Sequence, residues 1–360
     1  MSQRTTEYRP LSEVPIVDTD VHLPSTRAEE IRPYLEEPHY SRMRTSGEFP
    51  PLPLSGWDRF LGGKIEGNPI RSPEDIREGL VDRFHVDYPI INATSFLPKL
   101  PETDLAIALM SAYNDQLLDE YLDDNDDFYG LATIATQKPA EAAAEIERLG
   151  DEDSIVGAYV ATAGPNPPLG DPVYDPMYRA AEDNDMPIAF HGSSGGFPFE
   201  FPRQNQAFEK YLTVHALAHP WPQMMTFTSL LVHGVPEKFP DLDFLFLEAG
   251  VGWVPYMTFR LNKEYSMRRS EAPLLEQSPE EYVRESFYFA SQPVGESNDP
   301  QHMRQLMDVV GADSLMFSSD FPHWDFDNVD SVDRYLKSFF SPEEREQVLN
   351  GNALEVFDIP

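Results

Sequence analysis

Four apolar stretches of this chain end in side chains able to bind a cation or carry a proton. The first reads Ile16-Val17-Asp18-Thr19-Asp20-Val21-His22. As a strand it puts Ile16, Asp18, Asp20 and His22 on one face and Val17, Thr19 and Val21 on the other, because side chains alternate along extended backbone. Asp20 and His22 then project together at the C-terminal end, just ahead of Pro24. The other three end in Phe190-His191-Gly192, in Leu247-Glu248-Ala249-Gly250 and in Ser318-Ser319-Asp320-Phe321-Pro322-His323. The chain has no cysteine, so imidazole and carboxylate are the donors left for a divalent cation. Asp20 and His22 supply two ligands and His191 a third. Asp320 suits both ligation and proton transfer for whatever the metal activates. Taken singly, each motif also reads as structure: a hydrogen-bonded histidine, a carboxylate on backbone, a turn-forming aspartate. Their shared position at strand ends is what points to chemistry.

The elements that would bring these ends together recur along the chain. Strands are predicted over Val14–Val21, Tyr88–Thr94, Tyr129–Ala135, Ile155–Ala161, Pro187–Phe190, Leu242–Leu247, Phe287–Ala290 and Leu315–Phe317. Between them lie helical patterns: one opening at Pro73 after Ser72, then Asp104–Tyr121, Pro139–Leu149, Tyr174–Asp185, Trp253–Met267 and Gln301–Val310. Eight strands alternating with helices predict an α/β fold, a TIM-like (β/α)8 barrel, in which all strand C-termini meet at one face. An open doubly wound sheet is the alternative, but no Gly-x-Gly-x-x-Gly follows the first strand. A Pro- and Gly-rich insertion, 39–71, reads as a lid after strand one, and Gly192–Pro222 as a long loop after strand five. Residues 342–360 read as a closing helix and tail. No linker separates a second domain, so residues 1–360 read as one.

Composition narrows the partners. The 360 residues carry Asp+Glu 62 against Lys+Arg 27, a formal net charge of −35, a balance that repels nucleic acid and anionic membrane. No apolar run approaches the ~20 residues of a membrane span, and the first ten residues hold no secretory apolar core, which reads as cytoplasmic. The acid is dispersed, and lysine occurs only 7 times against 20 arginines. That pattern resembles a salt-in halophile proteome, as of a halophilic archaeon, in which concentrated salt screens the self-repulsion.

Three motifs carry a resemblance to a known family. Val17-Asp18-Thr19-Asp20-Val21-His22-Leu23-Pro24, Phe246-Leu247-Glu248-Ala249-Gly250-Val251-Gly252-Trp253-Val254-Pro255 and Phe317-Ser318-Ser319-Asp320-Phe321-Pro322-His323-Trp324-Asp325 resemble the amidohydrolase-related family, with His191 at strand five. The similar branch includes aminocarboxymuconate-semialdehyde and resorcylate-type decarboxylases. The resemblance runs from about Pro15 to the C-terminal helix. It implies a TIM-like barrel holding one divalent metal ion, zinc first and manganese as alternative, with Asp20, His22, His191 and Asp320 where the family's ligands fall. It also implies a homodimer. Two departures stand out. Several members carry His-x-His or Glu-x-His where this chain has Asp20-x-His22. Glu248 stands where characterised decarboxylases place a catalytic histidine, and His215 or His219, after strand five, could supply the missing imidazole. Arg44 in the first insertion suits a substrate carboxylate. His215, His323 and Trp324 are further candidates to line the substrate site.

The expected function is therefore metal-dependent chemistry on a small organic acid, aromatic or unsaturated. A carboxy-lyase leads, with Asp320, Glu248 and His219 as acid-base residues. A metal-activated-water hydrolase of a lactone, ester or amide is the alternative. A degenerate ligand-binding barrel is a third, disfavoured because every candidate position still carries a metal-competent side chain.

Overall fold

The structure, a computed structural model, describes residues 7–23, 28–41, 72–92, 97, 100, 102–192, 210–294, 299–323 and 325–360. Eight strands form one sheet in sequence order: β1 (Val17–His22), β2 (Tyr88–Asn92), β3 (Tyr129–Ile134), β4 (Ile155–Ala161), β5 (Ile188–His191), β6 (Phe244–Leu247), β7 (Phe287–Ala290) and β8 (Leu315–Met316). Each pairs with the next in parallel. Parallel neighbours need long crossovers, and helices supply them, burying the outer face of the sheet. Both faces of a strand are then covered, which explains runs such as β4, whose seven residues are all buried.

The barrel closes where its first and last strands meet. Val21 bridges Phe321 in parallel. The Thr19 amide donates to the Phe317 carbonyl at 3.1 Å, the Asp320 amide to the Asp20 carbonyl at 3.0 Å, and the His22 amide to the Phe321 carbonyl at 2.7 Å. The result is a (β/α)8 barrel, as the strand–helix alternation predicts. All eight predicted strands are present with boundaries shifted by a few residues at most.

The helices follow from local chemistry. Pro139–Leu149 has proline in its first turn and buries Ala142, Ala143, Ile146 and Leu149 at helical spacing. Pro279–Ser286, absent from the sequence reading, starts on a reciprocal cap between Ser278 and Glu281. The segment after β5 is not wholly loop: Tyr211–Ala218 and Pro220–Val232 are helices, and Pro220 sits in the first turn of the second, where its missing N–H costs nothing. The closing helix runs from Pro342 to Val356 through a π-helical stretch at Gln347–Gly351.

Two apolar shells hold the barrel. The outer one lies between strands and helices and includes Phe227, Phe246, Trp253, Phe287 and Phe289, with ring centroids 5.4–6.5 Å apart. The inner one fills the barrel with Val17, Leu131, Val156, Tyr159, Leu245 and Met316, and includes Phe357 and Ile359 from the C-terminal segment. Polar residues are left to the other end, beyond the strand C-termini. Among the described residues no helix is long and apolar enough to cross a membrane.

Candidate metal and acid-base site

The strand ends converge as their sequence positions predict. His22 Nε2 lies 3.2 Å from Asp20 Oδ1 and 2.9 Å from Asp320 Oδ1. His191 Nε2 lies 3.6 Å from Asp20 Oδ2 and 2.9 Å from Glu248 Oε2. The His22 and His191 rings meet edge to face at 5.0 Å. All five residues are buried, Asp20 and Asp320 completely. Arg44 and Trp324 lie outside the described residues.

This arrangement fits a divalent cation. Donors about 2.0–2.2 Å from a common ion stand roughly 3–3.6 Å from one another, the spacing seen here. Asp20 Oδ2, His22 Nε2 and His191 Nε2 are buried and lack a well-aligned hydrogen-bond partner among the described residues. His191 Nδ1 bonds the Gly192 carbonyl, which places the ring proton there and leaves the Nε2 lone pair facing inward. Three buried carboxylates (Asp20, Glu248 and Asp320) also call for a counter-charge.

Two neutral amides that no sequence motif singles out brace the carboxylates. Asn92, ending β2, donates from Nδ2 to Asp20 Oδ1 at 2.6 Å. Gln292, after β7, approaches Asp320 Oδ2 with Nε2 at 3.4 Å. Asp18 works at the seam instead: its Oδ1 accepts from the Ser319 amide at 2.8 Å and the Asp20 amide at 3.3 Å. Burial pushes the Asp18 carboxyl up to about 7 despite those bonds. The β1–β2 register shifts between Asp18 and Val21, and such irregularities re-aim side chains next to active sites.

The backbone is strained where the chemistry sits. Glu248 and Asp320 have φ of 49° and 63°, a region costly for residues other than glycine. His323 folds back, placing Nδ1 2.5 Å from Asp320 Oδ1. Burial would raise the Asp320 carboxyl, but His323 and His22 beside it hold it well below the usual carboxylate range. Burial and the Asp320 charge raise Glu248 against the opposing pull of His191. Burial would lower His191, yet Asp20 and Glu248 hold its imidazole well above the usual value.

The histidines after β5 reach the same region. His219 Nε2 lies 3.3 Å from Glu248 Oε1, and its ring is 5.3 Å from that of His215. His215 Nε2 is 3.5 Å from Asp325 Oδ2. Gly192 allows the approach: a Cβ there would stand 2.8 Å from the His219 Cα. Spacing in the sequence suggested His215 and His219 as a pair, but only the fold shows that they face Glu248.

Comparison with known proteins gives a consistent context. Residues 17–359 match the amidohydrolase family. The gamma-resorcylate decarboxylase of Rhizobium sp. (strain MTP-10005) is 24% identical over 308 residues, covering 79% of this chain and 87% of that one. Among solved structures, an amidohydrolase from Mycobacterium avium subsp. paratuberculosis K-10 superposes with a TM-score of 0.74 at 19% identity, covering 96% of this chain and 99% of that one. The 5-carboxyvanillate decarboxylase of Novosphingobium aromaticivorans, complexed with manganese and a nitrobenzoic acid, gives 0.70 at 20% identity over 100% of both chains.

Proposed function

Because the chain belongs to the amidohydrolase family over residues 17–359, we propose that it is a metal-dependent carboxy-lyase that removes carbon dioxide from a small aromatic or unsaturated carboxylic acid. The observation that carries this is the meeting of Asp20, His22, His191 and Asp320 at the barrel's C-terminal end, with Asp320 clasped by His323. Those four residues would hold one divalent ion, zinc or manganese. When bound, the ion supplies positive charge that holds the substrate's oxygens and withdraws electron density from the carbon that loses its carboxylate.

The chain's own residues handle the proton. His22 and His323 favour the ionised Asp320 carboxylate, and His323 Nδ1, 2.5 Å away, is placed to hand it the proton. The bond between ring carbon and carboxylate breaks, its electron pair stays on the carbon, and carbon dioxide leaves. Asp320 relays the His323 proton to that carbon, and His323 recovers one from solvent, which its partly exposed side chain reaches. Asn92 and Gln292 fix the carboxylates, so little reorganisation accompanies the transfer. Glu248 and His219, 3.3 Å apart, stand beside this relay without carrying its proton.

The test is to load purified protein with manganese or zinc and incubate it with hydroxybenzoates carrying a carboxylate beside the hydroxyl, following both carbon dioxide release and ester or lactone hydrolysis. Carbon dioxide release that needs the metal and is lost in His22→Ala supports the reading. Hydrolysis without carbon dioxide release overturns it in favour of activated water.

A further inference from the structure

We propose that Glu248, His215 and His219 form a second divalent-cation site, sharing the Glu248 carboxylate with the first. Ligand atoms of these three residues lie within 4.8 Å of one another. His215 lies in the helix Tyr211–Ala218 and His219 is the residue that caps it, four positions on and still with helical backbone, which keeps the two imidazoles together, their rings 5.3 Å apart. Two histidines at that spacing, completed by a carboxylate from elsewhere in the fold, are a recurrent zinc-binding arrangement.

The carboxylate is built for sharing. Glu248 turns Oε2 toward His191 at 2.9 Å and Oε1 toward His219 at 3.3 Å. One oxygen thus faces the Asp20–His22–His191 group and the other faces away from it. The strained φ of 49° at Glu248 aims the side chain between the two groups. Gly192 removes the side chain that would push His219 out of reach. Asp325, 3.5 Å from His215 Nε2, supplies the outer carboxylate that commonly orients a ligating imidazole. Imidazole with carboxylate selects a borderline cation, zinc before calcium or magnesium.

This inference does not depend on decarboxylation, and its test uses no substrate. Protein stripped with a chelator is titrated with zinc alone, bound zinc is counted by mass spectrometry, and crystals grown with zinc are imaged at the zinc absorption edge. Two ions per chain are expected in the parent. The H215A/H219A double variant should keep one ion, with anomalous density among Asp20, His22, His191 and Asp320. His215 is only half-buried, so His215→Ala alone serves should the double variant fold poorly. It should weaken the second ion by at least about 100-fold, the upper range for losing even an outer partner of a ligand. A single ion in the parent overturns the proposal, whatever the protein's activity. A second ion whose affinity and position do not respond to His215→Ala overturns it equally.

Discussion

The backbone amide of Asp320 donates to the carbonyl of Asp20 at 3.0 Å, although the two residues stand at opposite ends of the chain. The hydrogen bond belongs to the barrel seam, and both side chains leave the seam toward the same point. The neighbouring bond from the His22 amide to the Phe321 carbonyl, 2.7 Å, locks the next step of the register. The positions of three candidate ligands are therefore set by main-chain pairing rather than by mobile loops, the condition for holding a site to within about half an ångström.

Asp320→Asn tests the proton role. The amide keeps the shape and one oxygen able to ligate, but it cannot relay a proton. Turnover is expected to fall by about 10²–10⁴-fold, the usual contribution of a general acid or base, while metal content and melting temperature change little. Full activity in folded, metal-loaded protein would assign the proton to another group. A loss of folding without loss of activity in the folded fraction would make Asp320 structural.

Asn92→Leu tests the bracing of Asp20. Leucine fills a similar volume but cannot donate to Asp20 Oδ1. Metal affinity, measured by competition with a chromophoric chelator, should weaken by about 10–100-fold. Unchanged affinity would show that Asp20 is held by its backbone alone.

Asp20, His22, His191, Glu248 and Asp320 announce themselves because charged or ionisable side chains interrupt otherwise apolar strands, and a barrel collects strand ends. Asn92 and Gln292 sit at equivalent ends but are neutral amides, which in sequence look like turn residues. Their role appears only through hydrogen bonds to carboxylates 72 and 28 positions away. The facing of His219 and Glu248 depends on how the helices after β5 pack, which no local periodicity encodes. The helix Pro279–Ser286 is encoded locally, since Ser278 with Glu281 three positions on is a capping signature.

Asp243 should make stability depend on pH. Burial, then the charge of Glu355, pushes its carboxyl up to about 6, whereas an unfolded aspartate titrates near 3.9. Between those values the folded chain holds the extra proton, so stability is lost as pH rises from about 4 through 6 and stays lower above. Asp243→Asn should therefore melt higher than the parent at pH 8, and the difference should shrink toward zero near pH 4. A difference independent of pH would assign the effect to packing.

Salt should stabilise the fold. A net charge of −35 repels itself, and molar salt shortens the screening length to about 3 Å. The melting temperature is expected to climb from low to molar potassium chloride. A flat or falling curve would mean that the acidic surface carries no folding penalty and would remove the halophile reading.

Phe357 and Ile359 complete the packing inside a barrel whose first strand begins at Val17. A ribosome emitting this chain would therefore release all eight staves before the floor that keeps water out of them. Early closure of the sheet would leave a wet, unfinished interior, with Val17, Leu131 and Val156 waiting for residues some two hundred to three hundred and forty positions downstream. Maturation of this protein thus waits on the synthesis of residues 353–359, and a nascent chain stalled ahead of residue 353 should remain a client for chaperones even though every strand of its sheet has already been made.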